Sequence, residues 1–126
     1  RIDMNELITL IVEDESLVGL ELKHRLELMG FEVCGMAATA NKAIQIIEEK
    51  KPNLVLMDVK IKGELSGIET AKIIREKYSI PSIFITAFSD DKTLEQIAET
   101  GNLFCLRKPL DSNELKEAIQ HYISFQ

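Results

Sequence analysis

Residues 7–30 read L-I-T-L-I-V-E-D-E-S-L-V-G-L-E-L-K-H-R-L-E-L-M-G, and the apolar period changes once within them. Leu7 to Val12 is a near-continuous apolar run, the pattern of a strand buried on both faces. From Glu15 to Met29 the residues Val18, Leu22, Leu26 and Met29 fall on one helical face, with Glu21, Lys23, His24 and Glu27 elsewhere. Gly30 suits the position just past a helix end, where a left-handed backbone is needed. A doubly buried strand followed at once by an amphipathic helix is one βα unit of a parallel sheet.

Working outward, the same unit recurs. Phe31 to Ala37 reads as a second strand, and Thr39 as the cap of a helix carrying Ala40, Ala43, Ile44 and Ile47 inward. Pro52-Asn53 precedes the strand Leu54 to Asp58. A loop from Val59 to Leu65 follows, then a helix capped by Ser66 with Ala71, Ile74 and Tyr78 inward. Ser82 to Thr86 is a fourth strand. Ser89 or Asp90 opens a shorter helix with Leu94, Ile97 and Ala98, closed by Gly101. Leu103 to Arg107 is the fifth strand, and Asp111 with Glu114 has capping-box spacing before a helix that runs to about Phe125. Five βα units in a row predict an α/β fold, a parallel five-stranded sheet with helices on both faces. One domain over residues 1–126 is expected, with residues 1–6 as a polar tail. No repeat, linker or low-complexity stretch interrupts it.

Composition narrows the function. The 126 residues suit one ordinary domain. Fifteen Lys and Arg against 21 Asp and Glu give a net charge of −6, a poor match for nucleic acid or for an anionic membrane surface. A dication or a basic protein patch is the more natural partner. The two cysteines, Cys34 and Cys105, have no second Cys or His at ligand spacing, which argues against a zinc site or a disulfide framework and fits a reducing cytoplasm. No apolar run approaches the roughly 20 residues that span a bilayer.

In an open parallel sheet, chemistry sits at the carboxyl ends of the strands. There the first strand delivers Glu13, Asp14 and Glu15, the third Asp58, the fourth Thr86 and the fifth Lys108. The second offers only Met36, Ala37 and Ala38. A dinucleotide site needs glycines where Glu13-Asp14-Glu15 stands, and no GxxxxGK[ST] occurs. No Ser or Cys stands at a strand-to-helix elbow beside a His, and His24 and His121 lie in helices. Two carboxylates about 4 Å apart repel by roughly 4 kcal/mol at an effective dielectric near 20, so a proton or a cation belongs between them. Hard oxygen ligands suit Mg²⁺. A dication, an ammonium and a hydroxyl around one carboxylate are what an incoming phosphoryl group requires, and the carboxylate itself can be the nucleophile.

These residues resemble the receiver domains of two-component response regulators. The resemblance runs from about Leu7 to Phe125. It is carried by I-V-E-D-E with Glu13-Asp14, L-V-L-M-D with Asp58, I-F-I-T-A with Thr86-Ala87, L-R-K-P-L with Lys108-Pro109, and the helix stretch G-I-E-T-A-K-I-I-R. It implies a flavodoxin-like fold with strand order 2-1-3-4-5. It implies Asp58 as phosphoacceptor from a histidine kinase or phosphotransfer domain, with slow self-dephosphorylation. Asp14 and Asp58 become direct ligands of Mg²⁺ (or Mn²⁺), Glu13 a water-mediated one, and Lys60 the donor of a backbone carbonyl. Thr86 follows the phosphate, Lys108 pairs with it, and the Lys108–Pro109 bond is cis. An output domain or protein, and a second copy of the chain, are the implied further partners.

The sequence departs from the family pattern in three places. Glu13 stands where Asp is more usual. The loop V-K-I-K-G-E-L-S-G lacks the common proline and is one residue longer before Gly67. Cys105 replaces the usual Tyr or Phe of the output switch, and Phe104 faces the other side of the strand. Lys60 and Phe88 border the expected path of the hydrolytic water. The competing reading is a receiver-like docking module that works without phosphate. A small phosphohydrolase fits less well, because Lys60 stands where such enzymes carry a second Asp.

Overall fold

The computed structural model describes residue 3 and residues 6–87, 90–102 and 104–124. The elements alternate without exception: β1 (Ile8–Val12), α1 (Ser16–Leu28), β2 (Glu32–Ala37), α2 (Ala40–Lys50), β3 (Leu54–Asp58), α3 (Gly67–Tyr78), β4 (Ser82–Thr86), α4 (Asp91–Glu99), β5 (Phe104–Arg107) and α5 (Ser112–Ser124). The five strands form one parallel sheet in the order β2-β1-β3-β4-β5. The expected α/β class and strand order therefore hold.

Alternation along the strands divides the core in two. Ile11, Leu54, Leu56, Ile83 and Ile85 pack with Leu22 and Leu26 of α1 and with Leu115 and Ile119 of α5. Leu10, Val12, Val55, Met57 and Phe84 pack on the other face with Ala43 and Ile47 of α2, Ala71 and Ile74 of α3, and Ile97 of α4. β3 and β4, central in the sheet, are buried at every position, as continuous apolar runs predict.

Local chemistry sets most element boundaries. Thr39 and Asp90 each accept a hydrogen bond from the backbone N–H three residues on. Ser66 and Glu69 form a reciprocal capping box at the start of α3. Asp111 Oδ1 accepts from the N–H groups of Asn113 and Glu114. Gly30 (φ +89) and Gly101 (φ +80) turn the chain out of α1 and α4. Asn53 stitches the far end of the sheet: its Oδ1 accepts from Ile8 N–H at 2.8 Å, and its carbonyl accepts from the Tyr122 hydroxyl at 2.7 Å.

Several details differ from the sequence reading. In α2, Ile46 is buried with Ile47, while Ile44 is only half-buried. Tyr78 is half-buried and donates its hydroxyl to Glu48 at 2.6 Å. In α4 only Ile97 is buried, and Leu94 is 43% exposed and Ala98 exposed. Ile97 alone joins α4 to the core on that face of the sheet. The first and second strands begin one residue later than expected, at Ile8 and Glu32. The expected Leu103 strand start, Ser89 cap and Phe125 helix end lie outside the described residues, as does Phe88.

Cys34 and Cys105 are free and half-buried, and burial pushes both thiols up from their usual range. Cys105 packs with the α2–α4 face, and Phe104 with the α1–α5 face, where its ring meets His121 edge-on at 5.1 Å. Among the described residues, no helix is long and apolar enough to cross a membrane.

Candidate functional site

The polar strand ends converge because the sheet is parallel and its central strands stop at nearly the same level. β1 ends at Val12, and Glu13 follows with its N–H bonded to Ala37 O of β2 at 2.8 Å. Next to it, β3 ends in Asp58, in register with Ile85 of β4, so Thr86 lies one step beyond. Lys108 follows β5, and its N–H is bonded to Thr86 O at 2.8 Å. The Lys108–Pro109 peptide is cis.

This brings Glu13, Asp14 and Asp58 together: one carboxylate oxygen from each lies within 4.8 Å of the others. Lys108 Nζ donates to Asp58 Oδ2 at 2.7 Å and to Glu13 Oε1 at 2.9 Å. The other oxygen of Asp58, Oδ1, accepts from Lys60 N–H at 3.0 Å. Glu13 Oε2 accepts from Glu15 N–H at 3.2 Å. The Glu13 and Asp58 side chains are only 5% and 11% exposed, against 25% for Lys108, so the acid pair lies below the rim and the ammonium reaches down to it. Asp14 is half-buried, Thr86 is buried at the end of β4, and Lys60 is exposed.

Burial dominates the electrostatics of Glu13 and pushes its carboxyl from 4.5 to about 7. The Lys108 hydrogen bond works against that rise, and the neighbouring Asp58 adds to it. For Lys108, burial opposes the charge, but the hydrogen bonds to Asp58 and Glu13 outweigh it and hold the ammonium above its usual value. Three hard carboxylates at this spacing match the donor set of Mg²⁺, and Asp14, the more open of them, stands on the solvent side.

Three features of the site were not anticipated from sequence. Gly67 approaches so closely that a Cβ there would lie 1.8 Å from Asp58 O. The loop after Asp58 joins the β2–α2 connection through an isolated parallel bridge between Thr39 and Lys62. Arg25 of α1 donates to Leu110 O at 2.5 Å and pairs with Glu21, which ties α1 to the segment following Lys108. Under that tie lies a cavity of about 170 Å³, lined by Val18, Leu22, Leu56, Ile85 and Pro109 and bounded by Asp58 and Lys108. The glycines in V-K-I-K-G-E-L-S-G were the one sequence signal for the loop; nothing local announces Arg25, whose partner lies 85 residues away.

Residues 9–120 match the response regulator receiver domain family. The chain is 36% identical over 115 residues to the transcriptional regulatory protein PdtaR of Mycobacterium tuberculosis, covering 91% of this chain but 56% of that protein. It is 32% identical over 123 residues to sporulation initiation phosphotransferase F of Bacillus subtilis, covering 95% of both. The chain spans about half the length of most of the curated relatives it resembles. Among solved structures, the signal receiver domain of a modulated diguanylate cyclase from Desulfovibrio desulfuricans G20 superposes with a TM-score of 0.86 at 30% identity, over 93% of each chain. A CheY-like receiver domain protein from Methanospirillum hungatei JF-1 gives 0.84 at 26% identity, over 94% of each chain. With its fold, its strand-end acids and these relatives in agreement, the chain belongs to the response regulator receiver domain family.

Proposed function

We propose that residues 1–126 act as one phosphoacceptor unit, in which Asp58 takes a phosphoryl group from a phosphohistidine of a histidine kinase or phosphotransfer domain. The observation that carries this reading is the contact of Lys108 with both Asp58 and Glu13, with Asp14 beside them. Glu13, Asp14, Asp58 and the Lys60 carbonyl would hold Mg²⁺ (or Mn²⁺). A bound dication supplies Lewis-acid neutralisation of phosphoryl oxygens next to an anionic nucleophile. An Asp58 carboxylate oxygen forms the new O–P bond as the P–N bond to the donor imidazole breaks, and the imidazole keeps the electron pair. Lys108 then exchanges its hydrogen bond to Asp58 for one to a phosphoryl oxygen, and the Thr86 hydroxyl donates to another. Because the donor groups are held by strand ends, the arrangement is set before the reaction begins.

The resulting acyl phosphate is the signal. Its loss by water attack is self-dephosphorylation, and its readout is an output domain or protein. A cytoplasmic setting fits the two free thiols. Acetyl phosphate with Mg²⁺ should add one phosphoryl group to the wild-type chain, read by intact-mass spectrometry, and none to Asp58→Asn. Equal uptake by both would remove Asp58 from this role, and no uptake by either would favour a docking module that works without phosphate.

A further inference from the structure

We infer that the pairing of Lys62 with Thr39 is a clamp that positions Lys60, and through it the Asp58 carboxylate, for the cation. The inference rests on the Mg²⁺-dependent reading above. The strand order β2-β1-β3 gives the clamp a distance to span. The loop leaves β3 and crosses to the β2–α2 connection, while β1, followed by Glu13 and Asp14, lies between β3 and β2 in the sheet. Two inter-strand steps are roughly 10 Å. The additional residue in V-K-I-K-G-E-L-S-G supplies reach for that crossing.

The loop is fastened at its start, middle and base. Lys60 N–H donates to Asp58 Oδ1 at 3.0 Å. Two residues on, Lys62 N–H donates to Ala38 O at 3.1 Å, within the Thr39–Lys62 bridge. The anchor is itself fixed, because Thr39 caps α2 and its Oγ1 accepts from Lys42 N–H at 3.2 Å. Gly63, at φ +100, then turns the chain back; a Cβ there would clear Thr39 at 4.0 Å, so the backbone angle and not space requires glycine. At the base, Gly67 N–H donates to Val59 O at 2.8 Å and closes the loop. Lys60 is thus held between two fixed points. Its amide fixes one Asp58 oxygen, while Lys108 fixes the other. The Lys60 and Lys62 side chains are exposed, so the clamp is a backbone device. Lys62 and Gly63 are positioning residues that touch no reacting atom.

The test uses Lys62→Pro, which deletes the clamp N–H, Gly63→Val, which opposes the positive φ, and Lys62→Ala, which keeps both. Amide hydrogen exchange at Lys60 is read in chelator, and Mg²⁺ affinity by titration. Loss of an outer support for a metal ligand costs on the order of tenfold in affinity. Lys62→Pro and Gly63→Val should weaken Mg²⁺ binding by about that factor and speed Lys60 exchange, while the melting temperature in chelator stays put and Lys62→Ala behaves as wild type. Unchanged Lys60 exchange overturns the clamp, as does a loss of affinity that only tracks a falling melting temperature, or an equal loss in Lys62→Ala. A wild-type chain that ignores Mg²⁺ sinks the phosphoacceptor reading instead, and the exchange data then judge the clamp alone.

Discussion

The Lys108 ammonium meets the Asp58 carboxylate at 2.7 Å although 50 residues separate them in the chain, and it shares itself with Glu13 at 2.9 Å. One positive charge therefore balances two carboxylates that would otherwise repel. A dication entering among Glu13, Asp14 and Asp58 competes with that ammonium for the charge of the same carboxylates. Lys108→Ala should bind Mg²⁺ several-fold more tightly than wild type, because a rival cation is gone. It should also accept phosphoryl groups more slowly, because a phosphoryl oxygen loses its partner. Mg²⁺ titration and acetyl phosphate kinetics on the same variant separate the two effects. Weaker Mg²⁺ binding would show that Lys108 supports the cluster instead of competing for it.

Glu13 makes the site sensitive to pH in the physiological range. Its carboxyl is raised from 4.5 to about 7, first by burial. Between those values the folded chain holds a proton that the unfolded chain has released, so folding stability in chelator falls as pH rises from about 4.5 to 7. Protons and Mg²⁺ compete for the same carboxylate, so Mg²⁺ affinity should rise over the upper part of that window. Calorimetric melts at pH 5 and pH 8, with chelator and with Mg²⁺, check both slopes. In Glu13→Gln the pH-dependent part of each should shrink.

Stability and phosphoryl acceptance should separate at the far end of the sheet. Asn53 receives Ile8 N–H and holds the Tyr122 hydroxyl on its carbonyl, away from the strand ends that carry Asp58. Asn53→Ala leaves the Ile8 amide without its partner, and such losses cost about 1–3 kcal/mol. A lower melting temperature with an unchanged rate of phosphoryl uptake is expected. A fall in uptake below the melting range would reveal coupling between the two ends of the sheet.

The strands and the acid cluster were legible in the sequence for a common reason. A strand buried on both faces must be apolar until it leaves the sheet, so the first polar residues after Val12 and Met57 mark the rim. The helices were less legible. α1 buries Leu22 and Leu26 on the expected face, but it also carries Leu17, Leu20 and Leu28 at 82%, 49% and 75% exposure, so apolar residues lie outside its inward face as well as on it. α4 buries one residue, and its stripe over-predicts the core. The Thr39–Lys62 bridge and the Arg25–Leu110 tie join segments distant in the chain, and residue pattern carries no term for such contacts.

Two glycines make opposite predictions. Gly19 lies inside α1, and a Cβ there would meet Met36 Sδ at 3.2 Å and Glu13 Cβ at 3.8 Å. The thioether is flexible and can give, and alanine gains up to about 1 kcal/mol of helix propensity. Gly19→Ala should hold or raise the melting temperature. At Gly67 the obstacle is backbone: Asp58 O at 1.8 Å, with Val59 Cα at 3.0 Å. No rotamer relieves that contact, so either the first turn of α3 or the end of β3 must move. The Gly67 N–H to Val59 O bond at 2.8 Å resists the first motion. The second displaces Asp58 itself, and a misplacement near 1 Å can cost about 10²-fold in rate. Gly67→Ala should therefore accept phosphoryl groups far more slowly, and should melt lower by an amount typical of overpacking, about 1–3 kcal/mol. Acetyl phosphate kinetics and melts on both variants test this together. If Gly67→Ala takes up phosphate at the wild-type rate, α3 does not seat against Asp58, and the close approach plays no part in placing the carboxylate.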